Sequence, residues 1–496
     1  MKFLGISYRN HDANIAFSDD KKIKYLKLER EFQNKHQGCI NYYYIQYAMN
    51  KWNIEPKDID AIAYVTDMSN YQLNNYSNEL IIEYKPKDIY LENFKCPFYL
   101  IDHHYAHTLS IWPLINKTDI DFVLDGMGDF EKTYSIFSKN KILKSYEIDE
   151  AESIGRCLTG NIAQINNISG HWADHAGKLM GLKSYGKINK EYLNLFNNEI
   201  TEVVKLFSYR KYLTTNSNIE KNALNYLSSV HIKLEQIVLN FFKNNAKEND
   251  VISYSGGVAQ NSVINGILKS NFPNLIIPPH CPDDGLSLGL IEFLRQKYNQ
   301  EPFEKTNFPF WQDDYSPQRD PSDETILKTA EWLAQGKIVG WYQGNGELGP
   351  RALGNRSILM NPSIHNGKHI INKKVKKREW FRPFGASILE EHTSKYFNCN
   401  YKSEFMLYVT EIKDKQKFNS ITHVDGTCRI QTVDNNFKIY KRLLDAFYIK
   451  TGIPMLLNTS MNVNGRPIAS RYIDALELIS NTDLDILVIG NEIYKK

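Results

Sequence analysis

The sequence predicts an α/β protein. Short apolar runs of strand length alternate with helix-length segments in both halves of the chain. Several of these runs end on a glycine turn or a glycine-flanked aspartate, and a proline-rich polar stretch separates the two halves. Residues 3–7 read as a strand, Arg9 to Asp12 as a turn, and residues 13–17 as the returning strand. Residues 22–28 form a third strand, ending at Glu29 and Arg30. Residues 62–65 and 98–101 are apolar strands, and the second leads into a helix carrying His103 and His107. Residues 122–124 form a buried strand that ends on Asp125. A helical zone follows over roughly 151–245, and residues 251–254 form a strand running into Ser255, Gly256, Gly257 and Val258. Residues 300–323 hold Pro302, Pro309, Pro317 and Pro321 among polar residues, a linker composition. Beyond it, residues 324–335 are helical and residues 338–342 form the strand that opens a new domain.

At 496 residues the chain exceeds one ordinary core, so two or three domains are expected. The net charge of +3 supplies no general field for nucleic acid. The densest basic run, residues 373–378, reads first as a solvated helix face. Cys39, Cys96, Cys157, Cys281, Cys399 and Cys428 form no CxxC pair, which fits a reducing, cytoplasmic compartment. The first residues lack the apolar core of a secretory peptide, and no apolar run reaches membrane-spanning length, so no membrane association is expected.

An i, i+4 histidine pair sets both imidazoles on one face of a helix. His103 and His107, in HHYAH, have that spacing, and His104 points off their shared face. Asp125, in LDGMGD, and Asp283, in PDDG, sit beside glycine at strand ends, where a carboxylate can be aimed at a ligand. Two imidazoles and two carboxylates suit Fe(II), Mn(II) or Zn(II). Gly126, Gly128, Gly256 and Gly257 lie in loops that let a backbone approach a phosphate or ribose; tight turns are the plainer alternative. A helix starting after Gly257 would offer N–H groups to an anion. Lys178 lies in a similar setting, in AGKLMG.

The C-terminal half carries arginines among glycine and serine. Arg351 and Arg356 flank a glycine-rich turn, Arg378 and Arg382 bracket Glu379, Trp380 and Phe381, and His423, Asp425 and Arg429 share one string. Asn458, Thr459 and Ser460 follow an apolar strand. Converging guanidiniums repel one another unless an anion lies between them, and their planar fork matches phosphate and carboxylate oxygens. The alternative is salt bridging to Glu347, Glu379 and Asp425. A metal-plus-nucleotide half and a phosphate-binding half point to phosphotransfer or adenylate formation.

Taken together, NHDAN, EREFQNKH, HHYAH, LDGMGD, GKLMGLKSYG, SYSGGVAQN, PDDGLSLG, GELGPRALGNRSILMNP, KKREWFRPFG, THVDGTCRIQTV and GIPMLLNTSMNVNGRPI resemble the O-carbamoyltransferases of antibiotic and nodulation-factor biosynthesis. The resemblance spans nearly the whole chain. It implies an actin-like ATPase domain, a duplicated ribonuclease-H-like fold, over residues 1–300. It further implies a linker over 301–323 and an α/β domain similar to threonylcarbamoyl-adenylate synthase over 324–496.

The resemblance also implies two steps. The C-terminal domain would make carbamoyl adenylate from carbamoyl phosphate and ATP with Mg2+, using Arg351, Arg356, Lys377, Arg378, Arg382, His423, Asp425, Arg429, Asn458, Thr459 and Ser460. The N-terminal domain would pass the carbamoyl group to an acceptor hydroxyl. There His103, His107, Asp125 and Asp283 would hold Fe(II) or another divalent transition metal. Gly126, Gly128, Gly256, Gly257, Val258 and Asn261 would hold the nucleotide. His11, Lys178 and Arg429 are the expected catalytic residues, and His11 is the candidate for deprotonating the hydroxyl. Acceptor classes are a sugar or natural-product hydroxyl, or a hydroxymethyl pyrimidine in DNA. Two chains pairing as a homodimer through the large domain is an expectation of the same kind.

The chain departs from the family pattern where His175 and Ala176 precede Gly177, and where Lys183 follows Leu182. These departures bear on the acceptor. Competing readings are a fused threonylcarbamoyl enzyme acting on tRNA and a non-catalytic, actin-like nucleotide-binding regulator.

Overall fold

The computed structural model describes residues 1–39, 41–66, 79–85, 89–159, 162–163, 166–194, 197–204, 219–317 and 319–496. Within the expected helical zone, residues 160–161, 164–165, 195–196 and 205–218 lie outside the described set.

Six strands form the first sheet: β1 (Lys2–Ser7), β2 (Asn14–Asp19), β3 (Lys22–Lys27), β4 (Ala61–Val65), β5 (Ile81–Glu83) and β6 (Phe98–Ile101). Their order is β3-β2-β1-β4-β6-β5. β1, β2 and β3 are an antiparallel meander, with Leu4 opposite Phe17 and Ile15 opposite Leu26. β1 then pairs in parallel with β4, Leu4 beside Ile62, and β4 in parallel with β6. β1, β4 and β6 are near-continuous apolar runs because central parallel strands are covered on both faces.

The second sheet repeats this plan with β7 (Ile120–Leu124), β8 (Lys132–Ser138), β9 (Lys141–Glu147), β10 (Ile252–Ser255) and β11 (Leu275–Ile276). Its order is β11-β10-β7-β8-β9. β7, β8 and β9 form the meander, and β7 takes β10, then β10 takes β11, in parallel. The edge strand β9 exposes Lys141, Lys144 and Glu147, charges that discourage further pairing. A meander extended on the side of its first strand by two successive parallel strands, used twice, is the duplicated ribonuclease-H-like plan of the actin-like fold. In such sheets ligands gather beyond the carboxyl ends of the parallel strands, where β1, β6, β7 and β10 deliver their turns.

The helix Leu286–Lys297 packs along β1 and β4 and against the histidine helix His103–Leu109. That contact requires glycine: a Cβ at Gly289 would collide with the Ala106 carbonyl oxygen.

The third sheet holds β12 (Val339–Tyr342), β13 (Arg356–Met360), β14 (Gly385–Leu389), β15 (Tyr408–Glu411), β16 (Thr427–Val433), β17 (Met455–Ser460), β18 (Ile486–Ile489) and β19 (Glu492–Lys495). The order is β15-β16-β14-β17-β13-β12-β18-β19, with parallel and antiparallel pairs mixed. The helices Asp323–Ala334 and Lys438–Thr451 pack on each other, and the latter also packs on β14 and β17.

The chain divides into two compact units, one of residues 1–156, 243–260 and 274–313, the other of 157–242, 261–273 and 314–496. This differs from the expected cut into 1–300, 301–323 and 324–496. Residues 300–313 are packed into the first unit and are no free tether. Glu304 N donates to Lys21 O (2.8 Å), Asp313 N to Tyr25 O (2.8 Å), and Trp311 stacks on Trp112. Proline-rich composition concealed this because the packing comes from buried Phe303 and Trp311. No helix among the described residues is long and apolar enough to cross a membrane.

Candidate functional site

In the first unit, β6 runs into the histidine helix, which starts at a double cap. Asp102 Oδ1 accepts from Tyr105 N (2.9 Å) and Asp129 Oδ2 from His103 N (2.8 Å). The i, i+4 spacing then brings His103 Nε2 and His107 Nε2 to 3.2 Å. Asp125, at the end of β7, places Oδ2 at 3.0 Å from His103 Nε2. Asp283 Oδ1 lies 3.5 Å from His103 Nε2 and 3.4 Å from His107 Nε2. One donor atom from each of the four residues lies within 4.8 Å of the others, and all four side chains are buried.

Arg9, from the turn after β1, donates Nη1 to His103 Nδ1 (2.7 Å) and sets Nε at 3.7 Å from Asp283 Oδ2. Burial and the Arg9 charge lower the His103 pKa, which keeps the imidazole neutral. Burial alone would raise Asp283, but the two imidazoles outweigh it and hold its carboxyl at about 2. Two imidazoles and two carboxylates brought this close are donor types that suit a divalent transition metal. His104 turns its Nδ1 to Ser135 Oγ (2.7 Å) and stays outside the set.

His11 lies at the same turn, its Nδ1 3.3 Å from Asp12 Oδ2 and 3.8 Å from Asp283 Oδ2. Burial lowers its pKa, but Asp12 and Asp283 overcome that and raise it. Asp12, Glu29 and His36 make a second group of possible metal donors. Lys27 already compensates it, with Nζ at 2.9 Å from Glu29 Oε1 and 3.9 Å from Asp12 Oδ1.

The glycine loops are held more tightly than a phosphate cradle requires. Gly128 N donates to Lys132 O (2.7 Å), Gly256 N to Cys281 O (2.8 Å) and Gly257 N to Asp125 Oδ1 (2.7 Å). Those three N–H groups are therefore used inside the protein. Gly256, at φ +90°, leaves no room for a Cβ beside Leu124, whereas a Cβ at Gly126 would meet nothing within 4 Å. Val258 is buried. Asn261 falls in the second unit. Its Oδ1 caps the helix Ser262–Asn271 at Ile264 N (3.3 Å), and its Nδ2 donates to His231 Nε2 (3.1 Å). Its amide is thus engaged on both sides, a helix-cap role that spacing did not reveal.

In the second unit, Arg351, Arg378, Arg382 and Arg429 are half-buried. Burial lowers the Arg378 pKa well below the usual value, and Arg382 and Arg429 add to it; Glu379 opposes. Arg429 is lowered by burial, then by Arg351 and by Arg382. Guanidiniums stay protonated in proteins, so this mutual repulsion is relieved by an anion. Arg378 Nε donates to Asn372 Oδ1 (2.7 Å), which aims its fork, and Arg429 Nε is buried without a partner. His423 donates Nε2–H to Gly181 O (2.8 Å), and burial lowers its pKa, leaving Nδ1 unprotonated and without a partner. On β17, Asn458 Nδ2 donates to Ser387 Oγ (2.9 Å) while its Oδ1 is unpartnered; Thr459 is buried beside it.

Four expectations change. Arg356 is wholly buried and spent on structure: its two terminal nitrogens serve Asp314 Oδ1, Gln343 O, Gly344 O, Asn355 O and Tyr315 O, and its plane covers the Tyr342 ring. Lys377, at φ +48°, ends a helical turn and sends Nζ to Asn481 O. Its neighbour Lys376 is the buried one, with Nζ donating to Ser460 O (2.6 Å) and Ser460 Oγ (3.2 Å). Asp425 braces its own turn by accepting from Thr427 Oγ1 (2.6 Å) and Ser184 Oγ (2.7 Å). Lys178 belongs to the second unit, paired with Glu379 (2.8 Å). Sequence reading gave no site role to Arg9 or Lys376, and named Glu347 only as a salt-bridge alternative for the arginines. Glu347 is a buried carboxylate whose Oε1 accepts from the N–H groups of Leu353, Asn355 and Arg356 and so shapes the arginine turn. A buried glutamate inside GELGPR was the available signal.

The family model described as the carbamoyltransferase N-terminus matches residues 67–290, and the carbamoyltransferase C-terminus matches residues 330–496. The nodulation protein NolNO of Sinorhizobium fredii is 29% identical over 98% of this chain and 79% of its own length. NolO of Bradyrhizobium diazoefficiens is 30% identical over 80% of this chain and 79% of its own length. The 3'-hydroxymethylcephem-O-carbamoyltransferase of Streptomyces clavuligerus is 27% identical over 98% of each chain. With both halves of one family matched in order along it, the chain belongs to the carbamoyltransferases and is a transferase enzyme.

Proposed function

We propose that the protein is an ATP-dependent O-carbamoyltransferase that first makes carbamoyl adenylate from carbamoyl phosphate and Mg-ATP, then passes the carbamoyl group to an acceptor hydroxyl. The observation that carries this reading is the arginine set: Arg378 is buried beside Arg382 and Arg429, Arg429 is buried beside Arg351 and Arg382, and a polyphosphate answers that repulsion. In the first step water releases phosphate from carbamoyl phosphate, and the carbamate oxygen attacks the α-phosphorus of ATP as pyrophosphate leaves; these forks neutralise the phosphates of both substrates, and Lys376 holds the β17 end at Ser460.

In the second step His103, His107, Asp125 and Asp283 would hold a divalent transition metal, which supplies Lewis-acid polarisation of a carbonyl when bound. Arg9 fixes the His103 ring, and His11, at the turn beside Asp283, takes the proton of the attacking hydroxyl as AMP leaves. The test is pyrophosphate release from ATP without acceptor. Release that requires carbamoyl phosphate supports the reading; release of ADP and phosphate in its place, or none from folded protein, contradicts it.

A further inference from the structure

The helix His175–Leu182 carries a string expected in the transfer half, yet it contacts both loops of the arginine pocket within the second unit. Gly181 O accepts from His423 Nε2 (2.8 Å), and a Cβ at Gly181 would stand 3.1 Å from Pro383 Cδ. Just beyond the helix, Ser184 Oγ donates to Asp425 Oδ2 (2.7 Å), and Tyr185 meets the ring of Trp380 edge-on. Lys178 is buried, and its Nζ donates to Glu379 Oε1 (2.8 Å) and Ser169 O (2.7 Å). Glu379 sits between Arg378 and Arg382 in sequence, and its Oε2 is 3.6 Å from Arg382 Nη1. That distance is longer than a charge-assisted hydrogen bond.

A carboxylate among guanidiniums competes with any anionic ligand for the same donors. A buried ammonium stays paired, because an uncompensated charge is expensive. We propose that Lys178 is a positioning residue of the anion pocket: by holding the Glu379 carboxylate it keeps Arg378 and Arg382 available to a phosphate-bearing ligand. It acts through Glu379 and touches no ligand itself. The proposal rests on the reading of the arginine pocket as a phosphate site.

The experiment is calorimetric titration of the full chain with pyrophosphate, on variants whose melting and circular dichroism show them folded. Wild type must bind; absence of binding overturns the pocket reading and this proposal with it. Given binding, Lys178→Met weakens affinity by about tenfold or more, because Glu379 turns onto the arginines. Glu379→Gln tightens binding, and the double variant Lys178→Met/Glu379→Gln recovers the loss. Lys178→Arg retains most of the affinity. A double variant as weak as Lys178→Met makes Lys178 a direct ligand and overturns the proposal. Unchanged affinity in Lys178→Met, with or without a lower Tm, reduces the pair to packing and also overturns it. If Lys178→Met does not fold, Glu379→Gln alone decides: tighter binding supports the proposal and weaker binding ends it.

Discussion

Arg356 and Arg429 come from similar strings of glycine, serine and arginine, but a single acid separates their roles. Asp314, as deeply buried as Arg356, claims one nitrogen of its fork at 2.8 Å, and backbone carbonyls take the rest. Removing one partner of such a pair leaves a buried charge, so Arg356→Ala should lose about 3–5 kcal/mol of unfolding free energy in urea titration. Among the described residues, no acid pairs with Arg429 in this way. Arg429→Ala should fold normally and lose pyrophosphate release; a variant releasing pyrophosphate at the wild-type rate would remove Arg429 from the pocket. Gly and Ser flanking the arginines raised the expectation that they converge on an anion. The sequence did not show which ones, because Asp314 lies 42 residues before Arg356 and meets it only in the fold. Lys376 and Lys377 differ for a local reason. The left-handed turn at Lys377 reverses the side-chain phase, so the inward lysine is one position earlier than the resemblance implied.

At the scale of elements, the histidine helix was readable because both its cap and its i, i+4 pair are local, and the strands ending at Asp125 and Gly256 carried their own punctuation. What was hidden is the close approach behind that helix. Gly289→Ala should destabilise the first unit and weaken metal binding together, since the added Cβ meets backbone that cannot move aside; full metal affinity in a destabilised variant would separate the two. The helix Ile219–Asn245 carries a second long-range network. Glu235 Oε1 accepts from His231 Nδ1 (2.8 Å) and from Lys183 Nζ (3.0 Å), the lysine that departs from the family pattern. Burial would raise the Glu235 pKa, but His231 and Lys183 outweigh it and hold the carboxyl at about 2. The folded value lies below the unfolded value of about 4.3, so the stabilisation is complete above that pH and is lost as pH falls toward 2. The shift corresponds to roughly 3 kcal/mol. Glu235→Gln should therefore show a flatter fall of stability with acid than wild type; parallel curves would mean that the carboxylate contributes nothing.

For the whole molecule, alternation of strands and helices gave the α/β class, and the resemblance gave the actin-like plan that the repeated strand order confirms. The partition into units was not legible. Residues 157–242 and 261–273 are bound to the C-terminal sheet's unit by side-chain contacts such as Asn265 with Leu407 O (3.0 Å), and such pairings leave no trace in composition. In the proposed mechanism two chemically different centres, an arginine pocket and a histidine–aspartate centre, carry successive half-reactions. His107→Ala removes a donor of the second centre and none of the first. The most direct measurement is mass spectrometry of wild type and His107→Ala incubated with Mg-ATP and carbamoyl phosphate, without acceptor. Carbamoyl adenylate and pyrophosphate from both proteins, with no metal retained by the variant, is the predicted result. Loss of adenylate formation in a folded His107→Ala variant, or no adenylate from wild type, would contradict it.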